Sequence, residues 1–225
     1  MIGQIESALK KAFYNQPDDF LLATKQEDYL TYRISSELND NGVKSIFPTQ
    51  FKRFDFVEIN SENNHISRIF EAKFNYSSDF SNLFGYGEKC VRNDFEKLSD
   101  LDDYENSEKY LIQFIVHFNS NQINLWNKNL VDSSIGFNFD SKYFTYLNSK
   151  ELKRFNPNLL FRNSKSNIYS SQFVDSFVAE INSYNLAMNF QGYCKFDFNK
   201  AIINFATEKR NIPHEFYCFL WKMNK

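Results

Sequence analysis

Three residues of this 225-residue chain have types and spacing suited to chemistry: Asp55, Glu71 and Lys73. Glu71 and Lys73 belong to the run Arg68-Ile69-Phe70-Glu71-Ala72-Lys73-Phe74. Side chains two apart on a β-strand share a face. A strand here therefore sets the carboxylate beside the ammonium and sends Phe70, Ala72 and Phe74 to the opposite face, into apolar packing. Charges flanked by residues built for burial are costly unless they are paired or bind a metal. Asp55, on the preceding strand of a hairpin, is placed to help compensate them.

The surrounding pattern supplies elements that could position these residues. Residues 4–14 carry apolar positions at helical spacing, with Pro17 beyond them. Residues 25–38 predict a second helix, with Tyr29, Leu30, Ile34 and Leu38 on one face. Asn39-Asp40-Asn41-Gly42 is a stop and turn signal. A short strand is expected over residues 43–47. Residues 51–59 alternate around Asp55 and break at Ser61-Glu62-Asn63-Asn64; residues 66–74 then resume, as a β-hairpin requires. Residues 88–101 predict a helix with Val91, Phe95 and Leu98 inward. Residues 110–118 (YLIQFIVHF) form a continuous apolar run, as expected of a buried central strand. Farther on, a helix over 172–189 and a strand over 215–223 are expected.

In this context Asp55, then fifteen residues, then Glu71-Ala72-Lys73 resembles the D…(D/E)-x-K signature of the PD-(D/E)XK nuclease superfamily. The resemblance covers roughly residues 24–118. Glu27 matches the acidic position of the helix before the hairpin, with Glu37 as a competing candidate. Asn93-Asp94-Phe95-Glu96-Lys97-Leu98 resembles the D-x-x-K-L pattern often found on the helix that follows. The fold this implies is α/β: a restriction endonuclease-like core with a central mixed β-sheet flanked by helices. A C-terminal α+β elaboration over about 119–225 would serve substrate recognition or dimerisation within a single domain, 1–225. Where some members carry a further acidic residue before Asp55, this chain reads Pro48-Thr49-Gln50, which puts the number of metals in doubt.

The resemblance implies a metal-dependent endonuclease that hydrolyses phosphodiester bonds. Mg²⁺ takes oxygen ligands and keeps several waters, so two carboxylates and a substrate phosphate suit it; Mn²⁺ could substitute. Asp55, Glu71 and the backbone carbonyl near Ala72 would be ligands, with Glu27 ligating a second metal. Lys73 would position the attacking water and offset phosphate charge. DNA is the expected substrate, in restriction or anti-phage defence, and a homodimer would cut both strands. RNA cleavage, a toxin nuclease and a non-catalytic nucleic-acid-binding module are the alternatives.

Composition narrows the rest. The chain has 26 Phe and 13 Tyr against 6 Gly and 4 Pro, which with the abundant Asn and Lys reads as coding bias. Residues 1–110 hold 13 Lys and Arg against 20 Asp and Glu, while 111–225 hold 13 against 8. An acidic half beside a basic half suits a metal centre next to a polyanion-binding surface. Candidate phosphate contacts are Lys52 and Arg53 near Asp55, then Lys153, Arg154, Lys209 and Arg210, with Arg162 and Lys165 beside them. Trp126 is a candidate for stacking on bases. No run reaches the roughly 20 apolar residues of a membrane span. Three cysteines without CxxC spacing support neither a disulfide framework nor a zinc site, and a cytoplasmic setting is expected. His65, His117 and His214 show no metal-ligand spacing, and His117 reads as a core residue. Gly85-Tyr86-Gly87 lacks the further residues of a dinucleotide or P-loop motif.

Overall fold

The apolar runs become the strands of one mixed, open sheet in the computed structural model, which describes residues 1–14, 16, 21, 26–41, 44–76, 91–101, 104–118, 173–183, 186–200, 202–205, 208–211 and 214–224. In chain order the elements are α1 (Ile2–Phe13), α2 (Glu27–Asn41), β1 (Ser45–Ile46), β2 (Thr49–Phe51), β3 (Phe54–Asn60), β4 (Ile66–Tyr76), α3 (Val91–Ser99) and β5 (Glu108–Phe118). Then follow α4 (Phe173–Ser183), β6 (Met188–Phe198), β7 (Ile202–Phe205), β8 (Glu208–Asn211) and β9 (His214–Met223). The main sheet has seven strands in the order β1-β3-β4-β5-β9-β6, with β2 also paired to β3; β7 and β8 form a separate two-stranded sheet. β4 and β5 run parallel and every other pairing is antiparallel. Parallel neighbours need a crossover, and α3 lies in that connection.

Both faces of the sheet are covered, which is why β5 reads as unbroken apolar sequence. On one face, Ile5 and Leu9 of α1 and Leu30, Ile34 and Leu38 of α2 pack on Phe56, Phe70, Ala72, Phe74, Phe114 and Phe216. On the other, Leu98 of α3 and Phe173, Phe177 and Ile181 of α4 pack on Val57, Ile69, Leu111, Phe219 and Trp221. α2 is further fixed by Asn39, whose Oδ1 accepts from Phe47 N–H at 2.7 Å, and by Ser35, whose hydroxyl donates to the Phe47 carbonyl. Glu108 ties the starts of β4 and β5 to the end of β9 through Arg68 and Lys222. These contacts, Lys222 foremost, hold its carboxyl down at about 2.

Several expected elements are redrawn. The alternating stretch 51–59 is two strands, because the chain turns at Lys52-Arg53 and pairs Phe51 with Phe54. Gln50 and Lys52 adopt left-handed φ of 50° and 57°, a conformation that costs of order 1 kcal/mol per non-glycine residue. The helix expected over 172–189 ends at Ser183, and β6 begins at Met188. β6 and β9 extend the same sheet beyond β5, so these two C-terminal strands belong to the layer that β3, β4 and β5 build. Gly192 in β6 has φ 139° at a register shift opposite β9, a conformation that favours glycine. No helix among the described residues is long and apolar enough to cross a membrane.

Candidate active site

β4 outruns β3, and the polar centre sits on the overhang. The register pairs Phe56 with Phe70, and β3 begins at Phe54, so backbone partners from β3 run out near Ala72. The amides of Ala72 and Phe74, two apart, point to that same side of the strand. Buried backbone donors need acceptors, and side chains supply them. Ala72 N–H donates to Asp55 Oδ2 at 2.6 Å, and Phe74 N–H donates to Glu27 Oε2 at 2.6 Å. Glu27 opens α2, whose docking brings the carboxylate across to β4.

The residues between complete the centre. Glu71 is 2% exposed, and Lys97 Nζ from α3 lies 2.7 Å from its Oε1. Lys73 Nζ lies 3.2 Å from Asp94 Oδ2, also on α3. Both contacts are ion pairs by distance, without the alignment of a hydrogen bond at the carboxylate oxygen. α3 thus lays Asp94, Lys97 and Leu98 against the sheet, one turn apart.

Burial dominates the electrostatics. It pushes the Glu71 carboxyl up to about 8, with Asp55 adding repulsion and Lys97 only partly compensating. It also raises Glu27, Asp55 and Asp94, against the pull of Lys73 on Glu27 and Asp94 and of the Ala72 amide on Asp55. Burial would lower Lys73, but Asp94 and Glu27 outweigh it and its ammonium is held above the ordinary value. Among the described residues four carboxylates thus share the centre with two ammoniums, and burial holds Glu71 largely protonated near neutral pH.

That surplus of carboxyl groups, and buried oxygens on Glu71 and Asp94 without a hydrogen-bond donor among the described residues, fit a hard divalent cation in donor type, since a cation would favour the ionised forms. In geometry, no three His, Cys, Asp or Glu side chains among the described residues are grouped as a metal cage; the carboxylates are held by lysines and backbone amides instead. Glu71, Asp55 and Glu27 would hold such a cation only by exchanging these present partners for it.

The expected Asp55, Glu71, Lys73 and Glu27 are brought together, with the Ala72 backbone at their centre. Glu37 is not among them: both its oxygens take Lys11 Nζ at 2.7 Å, tying α1 to α2. Asp94 and Lys97, in the segment that resembles the D-x-x-K-L pattern, belong to the centre. Their signal was an opposite-charge pair on the same helical face as Leu98. Lys52 is tied to the Tyr104 hydroxyl at 2.6 Å, and Arg53 lies 5.7 Å over the Phe54 ring. Lys209 and Arg210 are in β8. Lys153, Arg154, Arg162, Lys165, Trp126 and Gly85-Tyr86-Gly87 lie outside the described residues. His117 is a core residue, stacked 4.3 Å from Phe173, and burial pushes its imidazole down to about 4. The surface cleft lined by His65, Ile66, Tyr104 and Ser107 is at the opposite end of β4 and contains none of these groups.

No family model matches the sequence, and neither the characterised proteins nor the solved structures compared with it include a match.

Proposed function

We propose that the chain is a metal-dependent phosphodiesterase with a restriction endonuclease-like core, cutting nucleic acid at the centre on β4. The observation that carries this reading is the clustering of Glu27, Asp55, Glu71 and Asp94 with only Lys73 and Lys97 to balance them. An isolated set of this kind is expensive to bury, and a bound Mg²⁺ offsets it. When bound, the cation would supply an activated water and charge neutralisation at the phosphate. Asp55 and Glu27 are oriented by the Ala72 and Phe74 amides. Lys73, protonated and mostly buried, is placed to meet a phosphate oxygen in competition with Asp94. Lys97 balances Glu71 until a cation takes its place.

DNA is the favoured substrate, in restriction or defence, with a homodimer as the form that cuts both strands. The test incubates the purified chain with supercoiled plasmid, single-stranded DNA and structured RNA, in Mg²⁺, Mn²⁺ or EDTA, beside Lys73→Ala and Asp55→Ala. Metal-dependent cleavage lost in both variants is expected. Cleavage that survives both substitutions, or none on any substrate, would reject the assignment.

A further inference from the structure

We propose that Gln113 is a positioning residue of this centre, its side-chain carbonyl receiving the Lys73 ammonium when substrate draws Lys73 away from Asp94. The assignment rests on the nuclease reading above. In the parallel β4–β5 ladder Gln113 is level with Lys73, and residues level in register place their side chains on one face. On its other side Gln113 is level with Phe219 of β9, which offers no polar group. Gln113 is completely buried, yet neither its Oε1 nor its Nε2 has a hydrogen-bond partner among the described residues. Burying a polar atom without a partner is destabilising, and methionine would fill a similar volume without that cost. A buried amide kept beside the one ammonium of its row is better explained by that ammonium than by the apolar packing around it.

Lys73 carries three donors, and its contact with Asp94 Oδ2 at 3.2 Å occupies no more than one of them. It thus has donors to spare on the β5 side. A phosphate oxygen entering the centre competes with Asp94 for Lys73. With Gln113 Oε1 accepting a second Lys73 N–H, Nζ is steadied by the sheet through that exchange. Gln113 acts through Lys73 and touches no reacting atom.

The test compares the full chain with Gln113→Met and Gln113→Glu in Mg²⁺-dependent plasmid cleavage, measuring kcat, KM and the thermal midpoint. Gln113→Met is expected to melt at or above the wild-type temperature while kcat falls about 10–100-fold, the range seen when supporting partners of a site are removed. KM should stay within about twofold, because transition-state rather than ground-state binding is lost. Gln113→Glu keeps the acceptor and should recover part of the lost kcat. Should the Met variant not fold, the Glu variant decides alone, with cleavage near the wild-type rate supporting the role. Wild-type kcat in Gln113→Met, or a kcat loss that Gln113→Glu does not relieve, overturns the assignment alone. A wild-type chain that cleaves nothing overturns the nuclease reading, and this assignment with it.

Discussion

Replacing Glu71 with glutamine should make the metal-free protein more stable. In the folded protein the Glu71 carboxyl is raised from 4.5 to about 8, first by burial and then by Asp55. A group whose pKa rises on folding contributes its full stabilisation below about 4.5, and that contribution is lost as pH climbs through about 8. At pH 7 the unfolded chain ionises this carboxyl and the folded protein keeps it largely protonated. The difference opposes folding by roughly 3 kcal/mol. Glu71→Gln removes the titration, while Lys97, whose side chain is 30% exposed, can turn to water. Wild type and variant should therefore match near pH 4 and diverge above it. At pH 7 in EDTA the variant should lead by up to about 3 kcal/mol, or about 6–12 °C in Tm for a chain of this size. Mg²⁺ should raise the Tm of wild type and leave Glu71→Gln unmoved, since an amide is the poorer ligand. Thermal melts across pH, with EDTA and with Mg²⁺, read both effects. A variant less stable than wild type at pH 7 without metal would refute the reasoning.

Glu37→Gln should cost under about 1 kcal/mol, as expected when the partner is a largely exposed lysine, and leave the Mg²⁺ response in thermal melts intact. Loss of that response would move the helix carboxylate of the centre from Glu27 to Glu37. Phe177→Ala, at a fully buried ring against Phe219 and Trp221, should cost about 3–5 kcal/mol. Urea unfolding measures it, and a loss below 1 kcal/mol would mean that α4 does not pack on the sheet as described.

How much was legible in the sequence follows the range of each signal. The pairing of Glu71 with Lys73 needed only strand alternation, and the hairpin and β5 needed only apolar runs of adequate length. The N-terminus of α2 and the identity of its useful acid were harder. Glu27 and Glu37 both lie on that helix, and only the docking of α1, through Lys11, shows that Glu37 is occupied elsewhere. Whether Asp94 and Lys97 face the sheet or solvent was not legible, because a charge pair three apart on a helix looks the same on either face. The ion pairs across to β4 that separate the two cases are tertiary. β6 was missed for a similar reason. Its exposed positions alternate with a mixture of buried and partly buried ones, as on an edge strand, and Leu186 and Met188 were absorbed into the preceding helix. The break at Lys52-Arg53 had no glycine to announce it, since Lys52 itself takes the left-handed turn.

The overhang of β4 also bears on association between chains. A strand that outruns its neighbour presents bare amide donors, the template on which a foreign strand can add. Here those donors are Ala72 and Phe74, in a segment flanked by phenylalanines that would welcome such an addition. Asp55 and Glu27 cap these donors with carboxylates, which blocks the addition of a further strand there. Replacing both together would remove that guard, so these two carboxylates cannot be exchanged for apolar side chains without re-solving the problem of this edge.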